Sequence, residues 1–122
     1  MTLLEVLVGI LIFSIGILGI VGLQARAVQL SVDSEDRSRA ALLANEIVST
    51  MWTQNTLTLP TATTDAWLAR VQDPTVSGLP NANGTVSAPD VNGVVTVTIT
   101  WRSPAKIAAD GDSTYSTRVV MP

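Results

Sequence analysis

The chain begins with a nearly unbroken apolar run. Residues 3–23 read LLEVLVGILIFSIGILGIVGL and carry a single charge, Glu5. A helix crosses a bilayer with about 20 apolar residues, so the run predicts a membrane-length helix. A cleaved secretory signal has a basic start and a shorter apolar core. Here no basic residue precedes Arg26, and the run leads straight into an amphipathic pattern. The expectation is a retained segment from which a leader has been removed, with Met1 as the mature N-terminus.

The helical pattern continues to about Gln54, and no proline occurs before Pro60. Ala40, Ala44, Ile47 and Met51 recur at helical spacing with Ala41 and Val48 beside them, which gives one apolar face. Leu42 lies nearly opposite that stripe, and Leu43 about a quarter turn away. A helix with apolar residues on two sides has two surfaces to satisfy: its own domain and neighbouring copies. The segment Asp33–Arg39 is charged, with Asp33–Arg37 and Glu35–Arg39 in the favourable i,i+4 order, each worth about 0.2–0.5 kcal/mol. It reads as a solvated face just outside the membrane or as an electrostatic register between subunits.

Beyond the helix the period changes. Residues 55–63 (NTLTLPTAT) predict a loop. A short helix is expected over 65–72 after a Thr63/Thr64 cap, burying Trp67, Leu68 and Val71. Residues 73–93 are rich in Pro, Gly, Asn and Ser and predict an irregular connection with a short strand at 84–88. Val95, Val97, Ile99 and Trp101 alternate with Thr96, Thr98 and Thr100, a half-buried strand over 94–101. A loop at 103–113 and a second strand over 114–121 complete an antiparallel hairpin. The predicted fold is α+β: a helix over 1–54 and a globular head over 55–122. Residues 1–24 form the membrane or filament-core half of the helix, and 25–54 the half that packs on the head. A head of 68 residues without cross-links has a marginal core. The stripe from Ala40 to Met51 supplies the missing apolar face.

Composition narrows the chemistry. There is no cysteine and no histidine. Disulfides, thiolate metal sites and cysteine nucleophiles are therefore excluded, as is the commonest general base. From residue 55 onward four basic residues (Arg70, Arg102, Lys106, Arg118) face five acidic ones. That is a poor surface for a polyanion, so no direct nucleic-acid contact is expected. The carboxylates show no paired-acid spacing with a base, and no Gly-rich phosphate loop occurs, so the chain reads as a non-enzyme without cofactor. Asp110-Gly111-Asp112 reads as a turn before it reads as a calcium loop, and no metal site is expected. Asn83-Gly84-Thr85 fits a glycosylation sequon but is first a turn signal. Trp52, Trp67 and Trp101 read as core, with room for one of them to be an exposed contact.

Glu5 is the anomaly. A carboxylate in hydrocarbon costs a few kcal/mol or more and marks a function or a partner. Four residues from the start of the chain, it also has the option of sitting harmlessly at headgroup level. A functional role needs a cation, and the nearest positive group is an N-terminal amine: that of Met1 in the same chain, or that of an adjacent copy. A buried carboxylate–ammonium pair satisfied only in the correct stacking would act as a registration device. Gly9, Gly16, Gly19 and Gly22 permit close helix approach. Gly16, Gly19 and Gly22 also mark where the helix is weakest, and a break within 16–22 is expected in an assembled filament.

Met1-Thr2-Leu3-Leu4-Glu5-Val6-Leu7-Val8 resembles the processed N-terminus of type IV pilins and pseudopilins. In that family a prepilin peptidase cuts after a glycine and N-methylates the new first residue, and an acidic residue stands fifth. The resemblance is specific over residues 1 to about 30. Within the family the chain is most similar to the PilV type of minor pilin. Ala41-Leu42-Leu43-Ala44-Asn45-Glu46-Ile47-Val48 with Met51-Trp52, Leu79-Pro80-Asn81 with Gly84, and VTVTITWR carry that likeness. The I-type pseudopilin of type II secretion shares the MTLLEVL start. The chain departs from major pilins in lacking cysteine and in having Gly22 where they commonly have proline.

The resemblance implies a type IV pilin-like fold, with Glu5 and an N-methylated Met1 as the assembly pair. It implies a minor pilin that helps prime pilus assembly and sits in the tip complex. The implied partners are other minor pilins, the major pilin and a PilY-type tip adhesin. The chain would be single-pass in the inner membrane with a periplasmic head before assembly, and part of the extracellular pilus tip afterwards. The alternatives are a minor pseudopilin, or a single-pass periplasmic binding protein that never polymerises.

Overall fold

The computed structural model describes residues 2–122. The elements in order are α1 (Leu3–Gln54), α2 (Thr61–Gln72), α3 (Pro74–Ser77), β1 (Asn83–Val86), β2 (Val94–Trp101), a 3₁₀ turn (Ala108–Asp110) and β3 (Ser113–Val120). The chain forms two compact units, one up to Ser34 and one from Glu35 to Pro122.

In the first unit every described residue is exposed. Its helix is long and apolar enough to cross a membrane. Within it Ser14 donates its hydroxyl to the Ile10 carbonyl at 2.8 Å, so that polar side chain is satisfied without a partner helix.

In the second unit the C-terminal part of α1 packs against a small antiparallel sheet, as the α+β reading expects. Ala40, Ala44, Ile47 and Met51 are all 1 % exposed or less, and they meet Val95, Val97, Ile99 and Trp101 in one core. Leu42, across the helix, is 70 % exposed. The helix stops in a Schellman arrangement: Asn55 takes a positive φ of 51°, its N–H reaches the Trp52 carbonyl, and the Thr56 N–H reaches Met51. Asparagine tolerates this left-handed position better than most side chains.

The sheet order is β1-β2-β3, antiparallel throughout. β2 shows the predicted alternation, with each odd-numbered side chain buried and each threonine half-buried. β3 begins at Ser113 and ends at Val120, so the antiparallel hairpin stands as expected, with its second strand starting and ending one residue earlier than 114–121. Asp90 organises the turn between β1 and β2. Its carboxylate accepts from the N–H groups of Asn92 (2.8 Å) and Val94 (2.9 Å), and its carbonyl accepts from Gly93, whose φ is +71°.

Three sequence expectations are corrected. α2 starts at Thr61 rather than Asp65, because the Pro60 carbonyl accepts from the N–H groups of Thr63 and Thr64 and from the Thr64 hydroxyl. The segment after Asp73 is not wholly irregular: Pro74–Ser77 makes one helical turn, capped by Asp73 and closed by Gly78 at φ +69°. β1 spans Asn83–Val86 rather than 84–88. Past it the Ser87 hydroxyl takes the place of a strand carbonyl and accepts from the Thr96 N–H at 2.9 Å.

Candidate functional site

Glu5 lies in the first turn of α1, exposed. The Thr2 hydroxyl accepts from the Glu5 N–H at 3.3 Å. Thr2-x-x-Glu5 is thus one half of a capping box, a sequence signal that reading Glu5 only as a membrane charge overlooks. The reciprocal bond, in which the Glu5 carboxylate accepts from the Thr2 N–H, is not made among the described residues. A negative charge here favours the helix macrodipole by about 0.3–1 kcal/mol. The carboxylate has no cation partner among the described residues. Met1, the other half of the expected pair and the expected methylation site, lies outside the described residues.

α1 runs without interruption through Gly16, Gly19 and Gly22. A Cβ built on any of them, or on Gly9, meets nothing within 4 Å. No packing among the described residues therefore explains these glycines.

The second unit holds a polar cluster where α1 meets Gly78. Glu35 and Arg39 form the predicted i,i+4 ion pair. Arg39 also lies 3.7 Å from the Asp36 carboxylate and donates to the Gly78 carbonyl at 3.1 Å. Asp36 is 4 % exposed, which the reading of 33–39 as a solvated face missed. The signal was its position four residues before Ala40, in line with the core stripe. Asp33 and Arg37 remain exposed, with no ion pair between them among the described residues. Beside the cluster, Arg39, Leu42, Leu43 and Thr75–Gly78 line an open groove of ≈ 380 Å³.

α2 is fastened to α1 by two long-range contacts. The Trp67 indole N–H donates to the Leu43 carbonyl at 2.9 Å, and Arg70 pairs with Glu46. Trp67 and Trp101 are core, whereas Trp52 is 51 % exposed. Trp52 follows Met51 by one residue, about 100° around the helix, and so leaves the buried stripe. It is the exposed tryptophan that the sequence left unassigned.

The remaining candidates have structural roles. Asp112 accepts from the Arg102 Nε–H at 2.6 Å. Among the described residues no three potential ligands gather around a metal-sized site. Asn83 is the first residue of a strand, not a turn. Its side-chain oxygen accepts from Gln72 at 3.1 Å and from the Gly84 N–H at 3.0 Å. Asp73 accepts from the Thr75 hydroxyl at 2.6 Å and from the Thr75 N–H at 2.9 Å, and these bonds, the hydroxyl's first, hold its carboxyl below the usual aspartate range.

Comparison of the chain with protein-family models, curated proteins and solved structures returned no match.

Proposed function

We propose that this chain is a minor pilin of the PilV type, which enters a type IV pilus through α1 and Glu5 and helps prime its assembly from the tip. The observation that carries the reading is a lone carboxylate in the first turn of a helix whose first half is apolar and exposed and whose far half packs on a small antiparallel sheet. In an isolated membrane anchor that charge supplies only the favourable interaction with the helix dipole. In a subunit that must stack in one register it would also specify the register. The N-terminal sequence MTLLEVLV supports the same reading.

On this reading Glu5 accepts the N-methylated Met1 amine of an adjacent subunit. The head contacts other minor pilins, the major pilin and a PilY-type adhesin. The chain waits in the inner membrane with its head in the periplasm and ends at the pilus tip. The MTLLEVL start also suits a minor pseudopilin of type II secretion, and co-purification separates the two: a large tip adhesin marks the pilus, other pseudopilins mark secretion. The central test is Glu5→Ala in the full chain. The variant should reach the membrane at native levels yet be lost from sheared surface filaments. Native recovery from those filaments would leave the chain as a single-pass protein with a periplasmic binding domain.

A further inference from the structure

The spacing of charges along α1 bears on how deep the helix would sit in a bilayer. Glu5 and Arg26 bracket residues 6–25, which contain no charge. At ~1.5 Å per residue those 20 positions cover roughly 30 Å of helix, the thickness of a bilayer's hydrocarbon core. The helix is continuous across this stretch and exposed at every residue.

Arg26 also differs from the arginines of the second unit that are ion-paired. Arg39, Arg70 and Arg102 are each matched to a carboxylate of the chain. Arg26 donates only to the neutral Gln29 side chain, at 3.3 Å, and has no carboxylate partner among the described residues. Its i±3 and i±4 neighbours on the helix are Gly22, Leu23, Gln29 and Leu30, none of them acidic. Trp and Tyr, the usual interfacial anchors, are absent from residues 2–34. A guanidinium offers a planar fork of donors that matches phosphate oxygens.

We propose that Arg26 binds lipid phosphate at the interface opposite Glu5 and thereby fixes the depth of α1 in the bilayer before any assembly. The proposal rests on the membrane-spanning reading of the first unit. Without Arg26 the next charge is Asp33. The helix is then free to slide by up to seven residues, roughly 10 Å.

The chain has no cysteine, so each introduced thiol is the sole reporter. Leu23→Cys, Ala27→Cys and Ser31→Cys variants of the full chain would be reconstituted into phosphatidylethanolamine–phosphatidylglycerol vesicles. A membrane-impermeant maleimide would be supplied to both faces. With Arg26 present, the thiol at 23 should be protected and the thiol at 31 should react. Arg26→Ala should slow the reaction at 31 several-fold, and Arg26→Lys should restore most of it. In vesicles of uncharged galactolipid, which offer no phosphate, the difference between the native chain and Arg26→Ala should shrink to the part that comes from keeping a guanidinium out of hydrocarbon. An Arg26→Ala profile unchanged in the phospholipid overturns the proposal, as does an equal shift in galactolipid. Flotation with the vesicles, measured first, keeps the two claims apart. A chain that fails to float refutes the membrane-spanning reading and this proposal together; one that floats with an unmoved boundary refutes the proposal alone.

Discussion

A Cβ added to Gly84 would lie 2.6 Å from Cη2 of Trp67. The far edge of the indole rests on the β1 backbone while its N–H is held by the Leu43 carbonyl of α1. One side chain from α2 therefore ties the helix to the edge of the sheet, and only glycine leaves room for it. Gly84→Ala should destabilise the head by about 1–3 kcal/mol, as overpacking of a fixed core does. Thermal unfolding of the full chain in detergent, followed by tryptophan fluorescence, checks this. Thr85→Ala, on the outward face of the same strand, should change stability by less than about 0.5 kcal/mol.

Arg39 and Arg37 are two residues apart and should behave very differently. Arg39 serves Glu35, Asp36 and the Gly78 carbonyl, whereas Arg37 is exposed without an ion pair among the described residues. Arg39→Ala withdraws a cation from a buried carboxylate and should cost roughly 1–3 kcal/mol. Arg37→Ala should stay within about 0.5 kcal/mol of the native chain. Denaturant titration of the two variants side by side decides the matter, and equal effects would mean that Asp36 does not depend on Arg39.

Asp73 gives the head a local pH dependence of known sign. Its folded-state carboxyl is held below the ordinary value of 3.8, first by the Thr75 hydroxyl and then by the Thr75 N–H. A depressed carboxylate contributes stability that is present above the unfolded-state pKa and is lost as pH falls through the folded-state pKa. Thr75→Val removes the larger cause, so the Asp73 titration should move up toward 3.8. Carbon-detected NMR of the side-chain carboxyl reads the shift directly. A midpoint unmoved in Thr75→Val would assign the depression to the backbone of α3 alone.

How far the sequence foretold all this differs by element. The stripe from Ala40 to Met51 and the alternation from Val94 to Trp101 were legible, because burial on one face writes its period into residue type. Asp36 was not, since its charge concealed a position in line with that stripe. The start of α2 is hard to place from sequence because Thr61, Thr63 and Thr64 have weak helix propensity, and the Pro60 carbonyl that anchors Thr63 and Thr64 is a backbone feature. Gly84 reads from the sequence as the start of a strand or as half of an Asn-Gly turn, and neither reveals that it is glycine because of a tryptophan 17 residues earlier in the chain. At the candidate site Glu5 was evident as a lone charge. Its place in a Thr2-x-x-Glu5 cap was equally present in the sequence but was masked by the membrane reading.

The glycines of α1 allow a test in which stability and assembly move in opposite directions. Gly16, Gly19 and Gly22 have open space where a Cβ would go, and none has a positive φ. Replacing glycine with alanine inside a helix stabilises it by roughly 0.5–1 kcal/mol per site, and here no clash offsets that gain. The triple variant Gly16→Ala, Gly19→Ala, Gly22→Ala should therefore make α1 more resistant to unfolding in detergent, as read by amide hydrogen exchange across residues 12–26. If the filament requires this stretch to open, the same variant should enter sheared filaments less well than the native chain, although its head and Glu5 are untouched. Native or better recovery would show that α1 enters the filament as the continuous helix seen in the single chain, and the glycines would then be sites of close approach between neighbouring helices.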